Sequence, residues 1–120
     1  MADKIFERNL ARPLEGVCSG LQRTVEQQGR ISLPTEYRKI VGICAFEFVE
    51  IWCSANLEII VRRYKKRQNG KIRGVLRKVS NNGQICVPIE FRRWLGIVPT
   101  DKVEIFLYSD DEIRIKKFTV

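Results

Sequence analysis

Nine side chains in this sequence suit the recognition of a polyanion, and most of them come in matched pairs. Arg23, Arg38 and Lys39 return 54 residues later as Arg77, Arg92 and Arg93. Arg30 returns as Gln84, and Lys78 follows Arg77. A guanidinium is planar, forked and always charged, so it fits phosphate oxygens or a guanine edge through parallel hydrogen bonds. Glutamine cannot neutralise a phosphate, but its amide can read adenine. The whole chain leans the same way: 22 Lys and Arg against 14 Asp and Glu give a net charge of +8. That balance favours a nucleic acid or an anionic membrane surface as partner. A surface merely solubilised by cations does not explain why they recur at matched positions.

Other chemistries find little support. The sequence has no histidine, the commonest general base. Its four cysteines, Cys18, Cys44, Cys53 and Cys86, form no Cys-x-x-Cys pair. No metal site is therefore expected. Cys44 and Cys53 read as small core residues. No nucleophile–base arrangement and no glycine-rich phosphate loop is present, so no enzyme activity, cofactor or small-molecule substrate is expected. Glu36 and Glu90 stand in a first helical turn, where the helix dipole favours carboxylates. Trp52, Trp94 and Phe106 offer a stacking platform for single strands, but packing is the favoured use. The longest apolar run, Val41 to Trp52, is interrupted by Glu47 and Glu50, which excludes a membrane span. The first residues lack the order of a signal peptide, and a cytoplasmic location is expected.

The 54-residue offset runs without a gap from Arg23 and Arg77 through Gly29 and Gly83 to Ile43 and Ile97. It predicts two copies of one unit, at 20–64 and 74–118. An arm at 1–19 precedes them. A basic linker at 65–73, with Lys65, Lys66, Arg67, Lys71 and Arg73, joins them. Units this short make marginal cores alone, so the copies are expected to fold against each other. In each, a short strand (Leu21–Val25, Val75–Val79) leads to a hairpin turn (Gln27–Gly29, Asn81–Gly83). A second strand alternates, with Ile31, Leu33, Ile85 and Val87 inward and Arg30, Ser32, Gln84 and Cys86 outward. Pro34 and Pro88 open helices at the first helical position, over Thr35–Val41 and Ile89–Leu95, and Gly42 and Gly96 end them. Tyr37, Ile40 and Val41 share one apolar face, as do Phe91, Trp94 and Leu95. Arg38, Lys39, Arg92 and Arg93 fall off it, toward solvent or a partner. Phe48–Trp52 with Glu58–Val61, and Lys102–Leu107 with Glu112–Ile115, form a second hairpin in each copy.

The ordered series Arg77, Lys78, Val79, Gly83, Ile85, Val87, Pro88, Glu90, Arg92, Arg93, Leu95, Gly96 and Ile97, then Asp101, Val103, Glu104 and Ile105, resembles the AbrB/SpoVT family of bacterial DNA-binding domains. The same signature recurs, slightly altered, from Arg23 to Arg63. The resemblance implies a mostly β fold with short helices: a swapped-hairpin, double-psi-like β-barrel. Family members commonly carry one copy and dimerise; here two repeats in one chain would form an intramolecular pseudo-dimer. It also implies a transcriptional regulator that binds double-stranded DNA on the nucleoid. DNA contacts would fall on Arg23, Arg30, Arg38, Lys39, Arg77, Arg92 and Arg93, with Lys78 extending the face. Gln84, which departs from the cationic pattern, predicts unequal half-sites or weaker binding on that side. MazE-type antitoxins share the barrel, so an antitoxin that binds a toxin protein and its own promoter is the alternative. Two chains pairing through exposed edges or the arm would give a homodimer of pseudo-dimers.

Overall fold

The computed structural model describes residues 20–64 and 74–119. The expected arm and basic linker lie outside the described residues. Among the described residues, eight strands and two short α-helices follow one another. The first half contains β1 (Leu21–Thr24), a 3-10 turn (Gln27–Gly29), β2 (Arg30–Ser32), α1 (Thr35–Val41), β3 (Phe48–Cys53) and β4 (Ile59–Arg63). The second contains β5 (Val75–Lys78), β6 (Gln84–Cys86), α2 (Ile89–Leu95), β7 (Lys102–Ser109) and β8 (Glu112–Lys117).

The helices form where the sequence punctuates them. Pro34 and Pro88 are the N-cap residues, one place earlier than expected, with φ of −56° and −54°. Each helix has seven residues, too short to be stable alone. Burial of Val41 and Leu95 and packing of Tyr37 and Phe91 against the core hold them in place. Ile40 and Trp94 do not join that face as expected; they are 42% and 56% exposed. So short a helix touches the core along its i, i+4 line, and these two residues flank it.

The strands interleave. Six of them form one antiparallel sheet in the order β1-β7-β8-β4-β3-β5, and β2 pairs with β6 alone. The hairpins β3–β4 and β7–β8 meet at the β4–β8 seam. Each is flanked by the first strand of the other half: Leu21 stands opposite Ile105, and Val75 opposite Ile51. A shift of 54 residues maps nearly all of these pairings onto one another or onto themselves; the exceptions are Arg62 opposite Glu112 at the seam and the register shift between Leu107 and Ser109. The fold is thus mostly β, with two short helices and hairpins inserted into the opposite half.

The first hairpin expected in each half does not form. Its turn does close: the Glu26 N–H donates to Arg30 O and the Ser80 N–H to Gln84 O, both at 2.9 Å. Beyond the turn the strands part, β1 to β7 and β2 to β6. Cross-pairing gives both hairpins a covered edge and puts Ile31 and Ile85 into the core.

That core is one cluster drawn from both halves, including Ile31, Val49, Ile51, Val61, Ile85, Val103, Ile105 and Ile115. Cys53 packs at its margin, where burial pushes the thiol up to about 11. Cys44, expected inside, is exposed, because it follows the last buried residue of the helix exit, Ile43. On the far face of the sheet an ion network crosses the seam. Arg62 NH2 lies 2.8 Å from Asp111, and Arg114 lies 3.0 Å from Glu58 and 2.5 Å from Glu112. Burial alone would lower the Arg114 pKa; the bonds to Glu112 and Glu58 outweigh it and raise it. Among the described residues, no helix is long and apolar enough to cross a membrane.

Candidate nucleic-acid interface

The candidate site is built on the β2–β6 ribbon. Ile31 stands opposite Ile85 and both point inward. Alternation then turns Arg30, Ser32, Gln84 and Cys86 outward, with Arg30 opposite Cys86 and Ser32 opposite Gln84. Immediately after each strand the chain enters a helix, which brings Arg38 and Arg92 back to the ribbon. Arg38 crosses to the turn of the other half and lies where a Cβ on Gly83 would stand; Arg92 does the same at Gly29. Both glycines have φ of +77°, a conformation that disfavours any side chain. The structure therefore gathers Arg30, Arg38, Gln84 and Arg92 about one short ribbon.

Arg38 and Arg92 do not point freely outward, as the helical wheel suggested. Both are half-buried. Arg38 Nε donates to Leu33 O at 3.1 Å, and Arg92 Nε donates to Val87 O at 3.0 Å. Arg38 NH2 also donates to Thr35 Oγ1 at 3.1 Å. Leu33 and Val87 are themselves buried, so truncating the arginines leaves their carbonyls without these partners. A hydrogen bond from a charged donor contributes about 1.5–3 kcal/mol. The pair Arg38→Ala and Arg92→Ala is expected to lower the melting temperature by about 10 °C or more. Circular dichroism checks this; an unchanged melting temperature would show the bonds to be dispensable.

The other sequence-predicted residues separate. Lys39 and Arg93 are exposed on their helices. Arg23 and Arg77 stand on β1 and β5 opposite the inward residues Val103 and Val49, on the ribbon's side of the sheet. Each donates to its neighbour's carbonyl, Gln22 O at 2.8 Å and Leu76 O at 3.0 Å. Arg23 also lies close enough to Tyr37 to lower the phenol's pKa, though burial, the larger effect, leaves it raised. Lys78 is the correction. Next to Arg77 in the strand, it points to the opposite face, 5.8 Å from the Phe48 ring, and not toward the ribbon.

Sequence reading missed the partners of the ribbon residues. Gln84 Nε2 donates to Glu26 Oε2 at 2.9 Å and to Ser32 Oγ at 3.2 Å. Arg30 NH2 donates to Gln28 Oε1 at 2.6 Å, and Cys86 Sγ donates to Gln28 O at 3.1 Å. The available signal was a second break in the repeat: Glu26 stands where the other half has Ser80. Among the described residues, no cluster of His, Cys, Asp and Glu is placed to hold a metal ion.

Comparison with known proteins adds a set of relatives. Residues 76–117 match the family described as "Antidote-toxin recognition MazE, bacterial antitoxin". The chain is 44% identical over 48 residues to the transition state regulatory protein AbrB of Bacillus subtilis, covering 40% of this chain and 49% of that protein. It is 47% identical over 45 residues to the putative transition state regulator Abh of the same organism, covering 38% and 48%. Stage V sporulation protein T, also from Bacillus subtilis, is 37% identical over 49 residues, covering 41% and 28%. The aligned stretch thus spans about half the length of the first two relatives and less of the third. The solution structure of PHS018 from Pyrococcus horikoshii is a looser likeness, with 25% identity, a TM-score of 0.45 and coverage of 83% of this chain and 94% of that one. The signature residues and the three Bacillus relatives agree in what they liken this chain to: over these stretches it is similar to AbrB, Abh and stage V sporulation protein T.

Proposed function

We propose that this chain is a transcriptional regulator of the AbrB type that binds double-stranded DNA through its β2–β6 ribbon and the flanking helices. In this reading the chain is two fused units, 20–64 and 74–118, each standing for one protomer of a homodimer. The observation that carries it is the convergence of Arg30, Arg38 and Arg92 on one ribbon, with Lys39 and Arg93 exposed on the two helices that follow it. Phosphate contacts would fix the chain on the duplex, and the ribbon residues would meet base edges. Arg23 and Arg77 extend the face from β1 and β5; Lys78 is left out of it. Titrating duplex binding with salt tests the proposal. Log K is expected to fall with log salt at about −0.9 per phosphate neutralised, or roughly −4 for four or five phosphates. Binding indifferent to salt, or absent on every duplex at low salt, would defeat it.

The matched family's description favours a second reading, an antitoxin that holds a toxin protein as well as its promoter. The mass of the particle purified from its host at high salt separates the two. A stoichiometric second protein favours the antitoxin; 14.0 kDa or a multiple of it favours the regulator alone.

A further inference from the structure

The two ends of the ribbon carry opposite chemistry. The pseudo-two-fold that exchanges the halves exchanges Arg30 with Gln84 and Glu26 with Ser80. The first half thus supplies a cation and a carboxylate at positions where the second supplies neither. The carboxylate does not stay with its own half: Glu26 reaches over β2 to the Gln84 amide. With Glu26 Oε2 and Ser32 Oγ both taken as acceptors, the two hydrogens of the Gln84 amide are engaged. What Gln84 has left for a ligand is its Oε1, an acceptor, and the carboxylate beside it is also acceptor-only. Arg30 is the reverse. One of its nitrogens is held by Gln28 Oε1, and the remaining donors of an exposed guanidinium are available.

Base edges in the major groove answer to this difference. Guanine offers two acceptors, O6 and N7, which suit Arg30 and oppose an acceptor-only pair. Cytosine N4 and adenine N6 are amino donors, which suit Gln84 Oε1 and the Glu26 carboxylate. We propose that the ribbon reads its duplex in one fixed orientation, Arg30 taking a guanine in one half-site and the Gln84–Glu26 pair an exocyclic amino group of cytosine or adenine in the other. This rests on the duplex-binding function proposed above. It also revises the expectation for Gln84: the amide does not grip adenine with both atoms, because its N–H groups are already occupied.

Selection from a randomised duplex pool tests it, with the full chain and with the double variant Glu26→Ser/Gln84→Arg, which copies onto each position the residue of the opposite half. The parent chain is expected to enrich non-palindromic sites, guanine in one half and cytosine or adenine in the other. The variant is expected to enrich palindromic sites with guanine in both halves and to bind them about tenfold more tightly. Its salt slope should steepen by about one. If the double variant melts too low to use, Glu26→Gln alone, which keeps the shape and removes the charge, is expected to relax the preference for an amino group. Palindromic sites for the parent, or an unaltered site in the variants, would overturn the inference and leave duplex binding standing. A parent chain that enriches no duplex would overturn the function and this inference with it.

Discussion

Ile51→Ala and Ile105→Ala are each expected to lower the unfolding free energy by about 2–5 kcal/mol, and each for the whole chain at once. The two residues are equivalents on β3 and β7, and both are fully buried. Each is flanked by strands of both halves, Ile51 opposite Val75 and Val61, Ile105 opposite Leu21 and Ile115. Natural domains of this size hold only about 5–15 kcal/mol in total, so either change removes a large share. The shared cluster is what makes the effect global. Urea unfolding of single-tryptophan variants, keeping Trp52 in the first half or Trp94 in the second, reads the halves separately. Coincident transitions are expected, shifted together by either alanine. Two separate transitions would mean that the units at 20–64 and 74–118 fold independently.

Replacing the exposed cations Arg30, Lys39 and Arg93 together with alanine should weaken duplex binding by on the order of 100-fold at about 150 mM salt. The salt slope should become shallower by about 2–3, one increment for each phosphate that is no longer neutralised. Stability should hardly change. Lys39 and Arg93 are surface residues, and the Arg30 side chain bonds to exposed Gln28. Surface changes of this kind stay within about 0.5 kcal/mol each. Anisotropy of a labelled duplex measures the first effect and a thermal melt the second. The contrast with Arg38 and Arg92 is the useful part, since those two are expected to act on the fold as well. Unchanged affinity in the triple variant would remove the ribbon face as the duplex site.

Much of the fold was legible because local punctuation agrees with the final structure. Proline before and glycine after bracketed both helices to the residue, apart from the exact place of the prolines. Alternation sorted Ile31, Leu33, Ile85 and Val87 into the core. Strand partnership was not legible. The Asn82-Gly83 turn is a strong local hairpin signal, yet β5 and β6 go to different partners, and only the buried faces of the distant strands decide that. The same blindness hid the network of Arg62, Asp111, Glu112, Arg114 and Glu58, whose members meet only once β4 and β8 are in register. At the site, periodicity showed that Arg38 and Arg92 leave the apolar face. It could not show that each finds a buried carbonyl five residues back in its own half and a glycine turn across the pseudo-two-fold. Lys78 was misplaced because adjacency to Arg77 in sequence means opposite faces once the segment is a strand.

The insertion of each hairpin between strands of the opposite half has a consequence for molecularity. A regulator assembled from two separate protomers loses its folded form when diluted, because association is bimolecular. Here the equivalent pairing is unimolecular, with an effective concentration in the millimolar range set by the covalent tether. In the reading proposed above, such a chain keeps its cross-paired strands at a handful of copies per cell, and each position of the pair is free to diverge without its twin changing too.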